Sequence, residues 1–111
     1  VFGGADTAGN HQPTASAWAY DPQSHGWFEL APLPDPRRAG AAVVLGDYHY
    51  IIGGMGTSGT GSLLRYDPLQ DSWEQLAPLL QRREHTAAVV LNGKIYALAG
   101  RWQGLATLRR W

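Results

Sequence analysis

The groups in this sequence that could do chemistry are histidine, arginine and carboxylate side chains, together with one glycine-rich stretch that could cradle a phosphate. Gly54-Met55-Gly56-Thr57-Ser58-Gly59 fits G-x-G-x-x-G after a predicted strand, and Glu74 lies 20 residues past Gly54. A dinucleotide site also needs a helix opening at the third glycine, so that its N-terminus meets the pyrophosphate. Here Thr60-Gly61-Ser62 and then a strand follow, so the stretch reads as a loop. Four histidines occur, His11, His25, His49 and His85, and none pairs at a metal-ligand spacing such as H-x-x-x-H. The nine carboxylates are scattered, and no nucleophile elbow G-x-S-x-G occurs. Cysteine is absent, which excludes disulfides, thiolate metal sites and cysteine nucleophiles. The expectation is a chain with no catalytic residue, no metal and no cofactor, and not an enzyme. Arginine is left as the candidate recognition group, eight against the single Lys94. Its planar guanidinium suits bidentate recognition of carboxylate or phosphate. Basic and acidic residues balance at nine each, so no net charge draws the chain to nucleic acid or an anionic membrane. No apolar run approaches the roughly 18 residues of a membrane span.

The elements that must hold these groups follow from an internal repeat. Tyr20-Asp21-Pro22 recurs as Tyr66-Asp67-Pro68, an offset of 46. The same offset carries Trp27 onto Trp73, Leu30-Ala31-Pro32-Leu33 onto Leu76-Ala77-Pro78-Leu79, and Ala41–Leu45 onto Ala87–Leu91. It also relates Arg37 to Arg83, Tyr50 to Tyr96 and Gly54 to Gly100. The pair Gly3-Gly4 precedes Gly53-Gly54 by 50 instead, which places an insertion in the loop between Gly4 and Tyr20. Each period reads as four short strands. Ala41 to Leu45 is a Val-rich apolar run, too short for a helix. Gly46-Asp47, and Asn92-Gly93 in the next period, are hairpin turns leading to Tyr48–Ile52 and its counterpart. A third strand lies around Leu63 to Tyr66, Asp67-Pro68 starts a turn, and Ser72 to Leu76 is the fourth. With 14 Gly and 7 Pro spread along the chain, no long helix fits. A period of this length with four strands is the signature of propeller blades.

The Gly-Gly pair after an apolar strand, then Tyr-Asp-Pro, then Trp seven residues after the Tyr, resembles the kelch repeat. Its elements here are Gly3, Gly4, Tyr20 and Trp27 in the first unit, Gly53, Gly54, Tyr66 and Trp73 in the second, and Gly100 in the third. Ala99 replaces the first glycine of the third pair, and Ala39 stands where the link ahead of the next unit has His85. The resemblance implies an all-β fold of kelch-type propeller blades, each a four-stranded antiparallel sheet, in an incomplete ring. The expected division is residues 1–39 as the last three strands of one blade with its link, 40–85 as a complete blade with its link, and 86–111 as the first three strands of the next. Such rings are commonly six-bladed, so the chain is expected to be part of a longer propeller.

The resemblance also orders the candidate contact residues. Arg101 follows the glycine of the third unit, where several kelch propellers place partner-reading side chains; Gln103 lies two residues further along that loop, and Met55 is the equivalent of Arg101 in the second unit. His85 lies in an interblade link that faces one end of the central channel in this family. Arg38, unlike Arg37, has no counterpart at the repeat offset. The expectation is a protein–protein interaction module that binds partners through its loops. By analogy with kelch-like proteins, it would be the substrate-recognition part of a cullin-based ubiquitin ligase adaptor, engaging the cullin through a BTB domain outside this sequence, in the cytoplasm. The alternatives are an actin-binding kelch scaffold and part of a propeller enzyme of the galactose oxidase or mutarotase type. As a surface residue, Arg101 is expected to tolerate replacement by alanine within about 0.5 kcal/mol of stability.

Overall fold

The computed structural model describes residues 1–7, 10–56 and 62–101. Their strands are β1 (Trp18–Asp21), β2 (Gly26–Glu29), β3 (Ala41–Leu45), β4 (Tyr48–Ile52), β5 (Leu63–Asp67), β6 (Ser72–Leu76), β7 (Ala87–Leu91) and β8 (Lys94–Leu98). No helix occurs among the described residues. The strands form three antiparallel sheets, β1-β2, β3-β4-β5-β6 and β7-β8. The middle sheet has the four antiparallel strands of a propeller blade. In the first unit, Phe2 bridges to Ala17, and Val1 and Trp18 exchange backbone hydrogen bonds, so the segment before Gly3 runs beside β1.

Turn chemistry fixes the register of each hairpin. Gly46 at φ 61 opens the β3–β4 turn, with Leu45 opposite Tyr48. Positive φ at the first central residue alone is the type II′ arrangement. The β7–β8 turn has positive φ at both Asn92 (52) and Gly93 (74), which is type I′. Equivalent positions thus reach the same strand twist by different turns. Between β5 and β6, the Asp67 carboxylate accepts from the amides of Leu69 at 2.9 Å and Gln70 at 3.4 Å. Between β1 and β2, Asp21 accepts from the Gln23 amide at 2.9 Å and the Ser24 hydroxyl at 3.0 Å, and these bonds hold its carboxyl below the usual range. Each of these turns closes on a left-handed residue, His25 (φ 57) or Asp71 (φ 47), which lie at the repeat offset.

The core lies between blades. Leu64 and Ala17 are fully buried, and Leu33 and Ile51 nearly so, with Phe2, Leu30 and Trp73 packed around them. Leu64 comes from β5 of the second unit, whereas Ala17 and Leu33 come from the first. Period-2 alternation puts Leu64 and Tyr66 on that buried face and turns Arg65 outward. Arg65 pairs with Glu74 on β6 and lies 4.5 Å over the Tyr48 ring.

Two devices bring the blades together. At Gly3 and Gly53 a Cβ would stand 2.3 Å from the Arg37 carbonyl oxygen and 2.6 Å from that of Arg83. The absent side chains let the following link approach, and the amides of Gly4 and Gly54 donate to those same oxygens at 2.7 and 2.8 Å. Ala99 holds the equivalent left-handed conformation, φ 57, without being glycine. The second device is Arg37, almost fully buried. Its guanidinium donates to the carbonyls of Gly53 (2.7 Å) and Ser62 (2.6 Å), to the Ser62 hydroxyl (2.8 Å) and to Asp35 (3.0 Å). Arg83 repeats the first of these contacts, donating to the Ala99 carbonyl at 3.0 Å. The repetition of Arg37 and Arg83 at the blade offset therefore marks a brace. The third strand expected in the last unit falls within 102–111, outside the described residues.

Candidate functional site

Gly53-Gly54 and Ala99-Gly100 each follow a strand, and the next residue turns back over the link that precedes the same unit. Met55 pairs with Arg38 through two backbone hydrogen bonds of 2.7 and 3.0 Å, and Arg101 pairs with Glu84 at 2.8 and 2.9 Å. These pairs sit at the repeat offset. The next link residues, Ala39 (φ 59) and His85 (φ 50), are both left-handed, and the His85 amide donates to the Ala39 carbonyl at 2.7 Å across the blades. An alanine and a histidine thus share one backbone geometry.

These turns enclose an open cleft of about 510 Å³. The inserted loop contributes Ala5 and His11, the first link and the turn it faces Arg38 and Met55, and the second link and the turn it faces His85 and Arg101. Four of the five residues expected to meet a partner, Arg38, Met55, His85 and Arg101, therefore line one space. Gln103 lies outside the described residues.

The charges in the cleft are tied down. Glu84 is 2% exposed, and its carboxylate takes Arg101 Nε at 3.0 Å on one oxygen. Its other oxygen meets Arg101 Nη2 at 3.4 Å and His85 Nδ1. Arg101 Nη2 also lies 3.0 Å from His85 Nδ1. The outer parts of His85 and Arg101 remain open, at 55% and 35% side-chain exposure. Arg101 is thus a partner of a buried carboxylate, and its replacement by alanine leaves that carboxylate with His85 alone and its Oε1 without the arginine. The expectation of a stability-neutral substitution is corrected by this contact. Arg38 points elsewhere: its Nη1 donates to the His11 carbonyl at 2.6 Å. Glu84 was not legible as a site residue, because its repeat equivalent is Arg38 and no pattern joins the two.

The motif aromatics hold the blades that carry the cleft. Tyr66 donates its hydroxyl to Asp71 at 2.6 Å, and the Ala31 amide of the preceding unit donates to the same carboxylate oxygen at 2.9 Å. Trp73 Nε1 donates to the Ala31 carbonyl at 2.8 Å. Both backbone groups of Ala31 are therefore held by side chains of the next blade. Burial, then the bond to Asp71, pushes the Tyr66 phenol up to about 12. The Tyr66 bond, then that from Ala31, holds Asp71 below its usual range. Phe2 completes the cluster, edge-on to Trp73 at 5.3 Å and 5.6 Å from the His49 ring, so His49 is a packing residue. Tyr20 and Trp27, the equivalents in the first unit, are 46% and 58% exposed.

Among the described residues, no three His, Asp or Glu side chains converge to hold a metal ion. No described helix is long and apolar enough to cross a membrane. The cleft is lined by two arginines, one thioether and two histidines.

Comparison with known proteins agrees with the blade geometry. Residues 36–80 match the Kelch motif. Kelch-like protein 22 of Xenopus tropicalis is 32% identical over 54 residues, which cover 49% of this chain and 8% of that protein. The solved structure of YjhT superposes with a TM-score of 0.71 at 24% identity, over 80% of this chain and 29% of that one. The chain thus spans less than a third of either relative. A repeat at one offset, a four-stranded blade, the diglycine approach and the Tyr–Trp joint, together with these matches, show that residues 36–80 carry a Kelch motif and that the fold is one of kelch-type β-propeller blades.

Proposed function

We propose that these blades are the partner-reading part of a protein-interaction module, with the cleft between Ala5, Met55 and Arg101 as the docking face. The observation that carries this reading is the seating of Arg101. A buried carboxylate fixes its guanidinium beside His85, on loops from consecutive blades that the sheets hold rigidly. Rigid presentation of charge lowers the ordering cost of binding. The finer reading is that the whole protein recruits substrates to a cullin-based ubiquitin ligase in the cytoplasm. It is supported by the similarity to Kelch-like protein 22 and rests on analogy beyond that. This reading assigns the chain recognition and no reaction of its own.

The test uses the full-length protein in cells, with bound proteins quantified by mass spectrometry after mild cross-linking. Arg101→Ala is paired with Glu84→Gln, so that no buried carboxylate is stranded. The double variant should lose one or more partners that wild type captures at the same expression level. Unchanged capture overturns the cleft as the docking face. Cullin among the captured proteins supports the adaptor role, and its absence under conditions that retain other partners overturns that role.

A further inference from the structure

The first unit differs from the second by its longer loop, and one side chain of the link that follows is committed to that loop. We propose that Arg38 is a positioning residue: it seats the inserted loop as a wall of the cleft, and the loop then decides which protein segments can enter. The proposal rests on the cleft being the docking face.

The arms of the insertion pair with each other. Ala5 bridges to Pro13, the Thr14 amide donates to the Gly4 carbonyl at 2.9 Å, and the Asp6 amide to the Gln12 carbonyl at 3.0 Å. The Gln12 amide returns a bond to the Asp6 carboxylate at 3.1 Å. The base is fastened to the following link, with Gly4 donating to Arg37 and Arg37 donating to Thr14 at 2.9 Å. Further out, Ala5, Asp6, His11 and Gln12 are all exposed, so no buried apolar side chain holds the arms. A two-stranded ribbon alone is marginal in water. His11 nevertheless sits at φ 54, a backbone state that a non-glycine residue keeps when its surroundings fix it. Arg38 supplies that constraint through a charge-assisted bond to the His11 carbonyl at 2.6 Å.

The repeat shows why this arginine is free for the task. At the equivalent position of the next blade, Glu84 grips Arg101, the residue it faces in its own blade. Arg38 faces Met55, which offers no acid, and it reaches back 27 residues instead. His11 thereby lines the same cleft as His85 and Arg101, so that the seating of the arms bears on what can enter it.

The experiment has two arms, both on the full-length protein. Amide hydrogen exchange of Asp6, Gln12 and Thr14 is followed in wild type, Arg38→Ala and Arg38→Lys. Arg38→Ala should speed exchange roughly tenfold or more, the factor that loss of a charge-assisted hydrogen bond allows. Arg38→Lys, which keeps a donor, should restore part of the protection. The Gly54 amide, bonded to the Arg83 carbonyl, should be unaffected. In the second arm, a photo-crosslinking side chain replaces His11, and its crosslinks to captured partners are compared with and without Arg38→Ala. Loss of those crosslinks, with capture through Arg101 retained for other partners, supports the proposal. Unchanged exchange overturns the positioning role. Faster exchange with unchanged crosslinks overturns the loop as the determinant of specificity. Failure of the docking face itself reads out separately, as unaltered capture by the Arg101→Ala, Glu84→Gln double variant.

Discussion

One substitution made at two equivalent places separates the joint between blades from the ring that makes it. Trp73→Ala removes an indole whose centroid lies 4.9 Å from Tyr66 and 5.3 Å from Phe2, and whose Nε1 donates to the Ala31 carbonyl at 2.8 Å. Truncating a core aromatic costs about 3–5 kcal/mol. Trp73 is half-buried, so the lower end applies, and about 1 kcal/mol of the total is the lost bond to Ala31. The expected loss is about 3 kcal/mol. Trp27→Ala removes the same ring at the repeat position. That ring is 58% exposed and its ring contact is Tyr20, at 5.2 Å, so about 1 kcal/mol or less is at stake. Urea unfolding of the 111-residue chain, followed by far-UV circular dichroism so that the lost fluorophore does not matter, gives both numbers. Trp73→Phe keeps a ring and loses the donor, and should fall near 1 kcal/mol. Equal losses for Trp73→Ala and Trp27→Ala would refute the argument, because the joint would then add nothing to the hairpin pairing that both rings share.

Other outcomes follow from the same geometry. Gly53→Ala should destabilise by about 2 kcal/mol or more, from the left-handed backbone and the collision with the Arg83 carbonyl. Ala99→Gly should shift the urea midpoint the opposite way, by up to about 1 kcal/mol, because it relieves the left-handed strain. Arg37→Met, which keeps the bulk of the stem, should cost about 3–5 kcal/mol in the same assay by stranding the Gly53 and Ser62 carbonyls and removing the buried pair with Asp35. Alkaline titration should show the Tyr66 joint directly. Its phenol keeps its proton to about 12 in the folded chain, against an ordinary value of 10.0, so its contribution is complete below pH 10 and is lost as pH rises towards 12. In Tyr66→Phe, that part of the alkaline decline in the unfolding midpoint should vanish.

Much of the architecture could be read from spacing alone, because strands, turns and blade joints recur with the period. The bounds of Ala41–Leu45, Tyr48–Ile52 and Ser72–Leu76 follow from apolar runs between turn residues, and Asp21 and Asp67 cap their turns as their place before Pro suggested. The resemblance to the kelch repeat was equally legible, and the Kelch motif match at 36–80 agrees with it. What escaped were contacts that do not recur. Asp71 clamps Ala31, yet its equivalent is His25, so the carboxylate carries no repeat signal. Glu84 anchors Arg101, yet its equivalent is Arg38. Arg38 itself is engaged by a loop of another length, which no offset links to it. Positions where the periods disagree hold the contacts of the cleft: the mismatch picked out Arg38, and the repeat placed Met55 and Arg101, but the partner each residue takes carries no repeat signal.

The joints between blades share a property with a consequence for how such chains can change. Gly54 and Gly4 bind the carbonyls of Arg83 and Arg37, Trp73 and Asp71 bind the main chain of Ala31, and the His85 amide binds that of Ala39. In each of these bonds one blade reads its neighbour's peptide backbone, while side-chain packing of Leu64 on Ala17 and Leu33 and of Trp73 on Phe2 makes up the rest of the joint. A residue that is grasped only by its backbone can be exchanged without a matching change next door. Blades joined in this way can change side chains at the backbone-held positions, or take a new loop, while the packed positions between them are kept. Such a chain can vary the residues of its cleft with little effect on the joints between its blades.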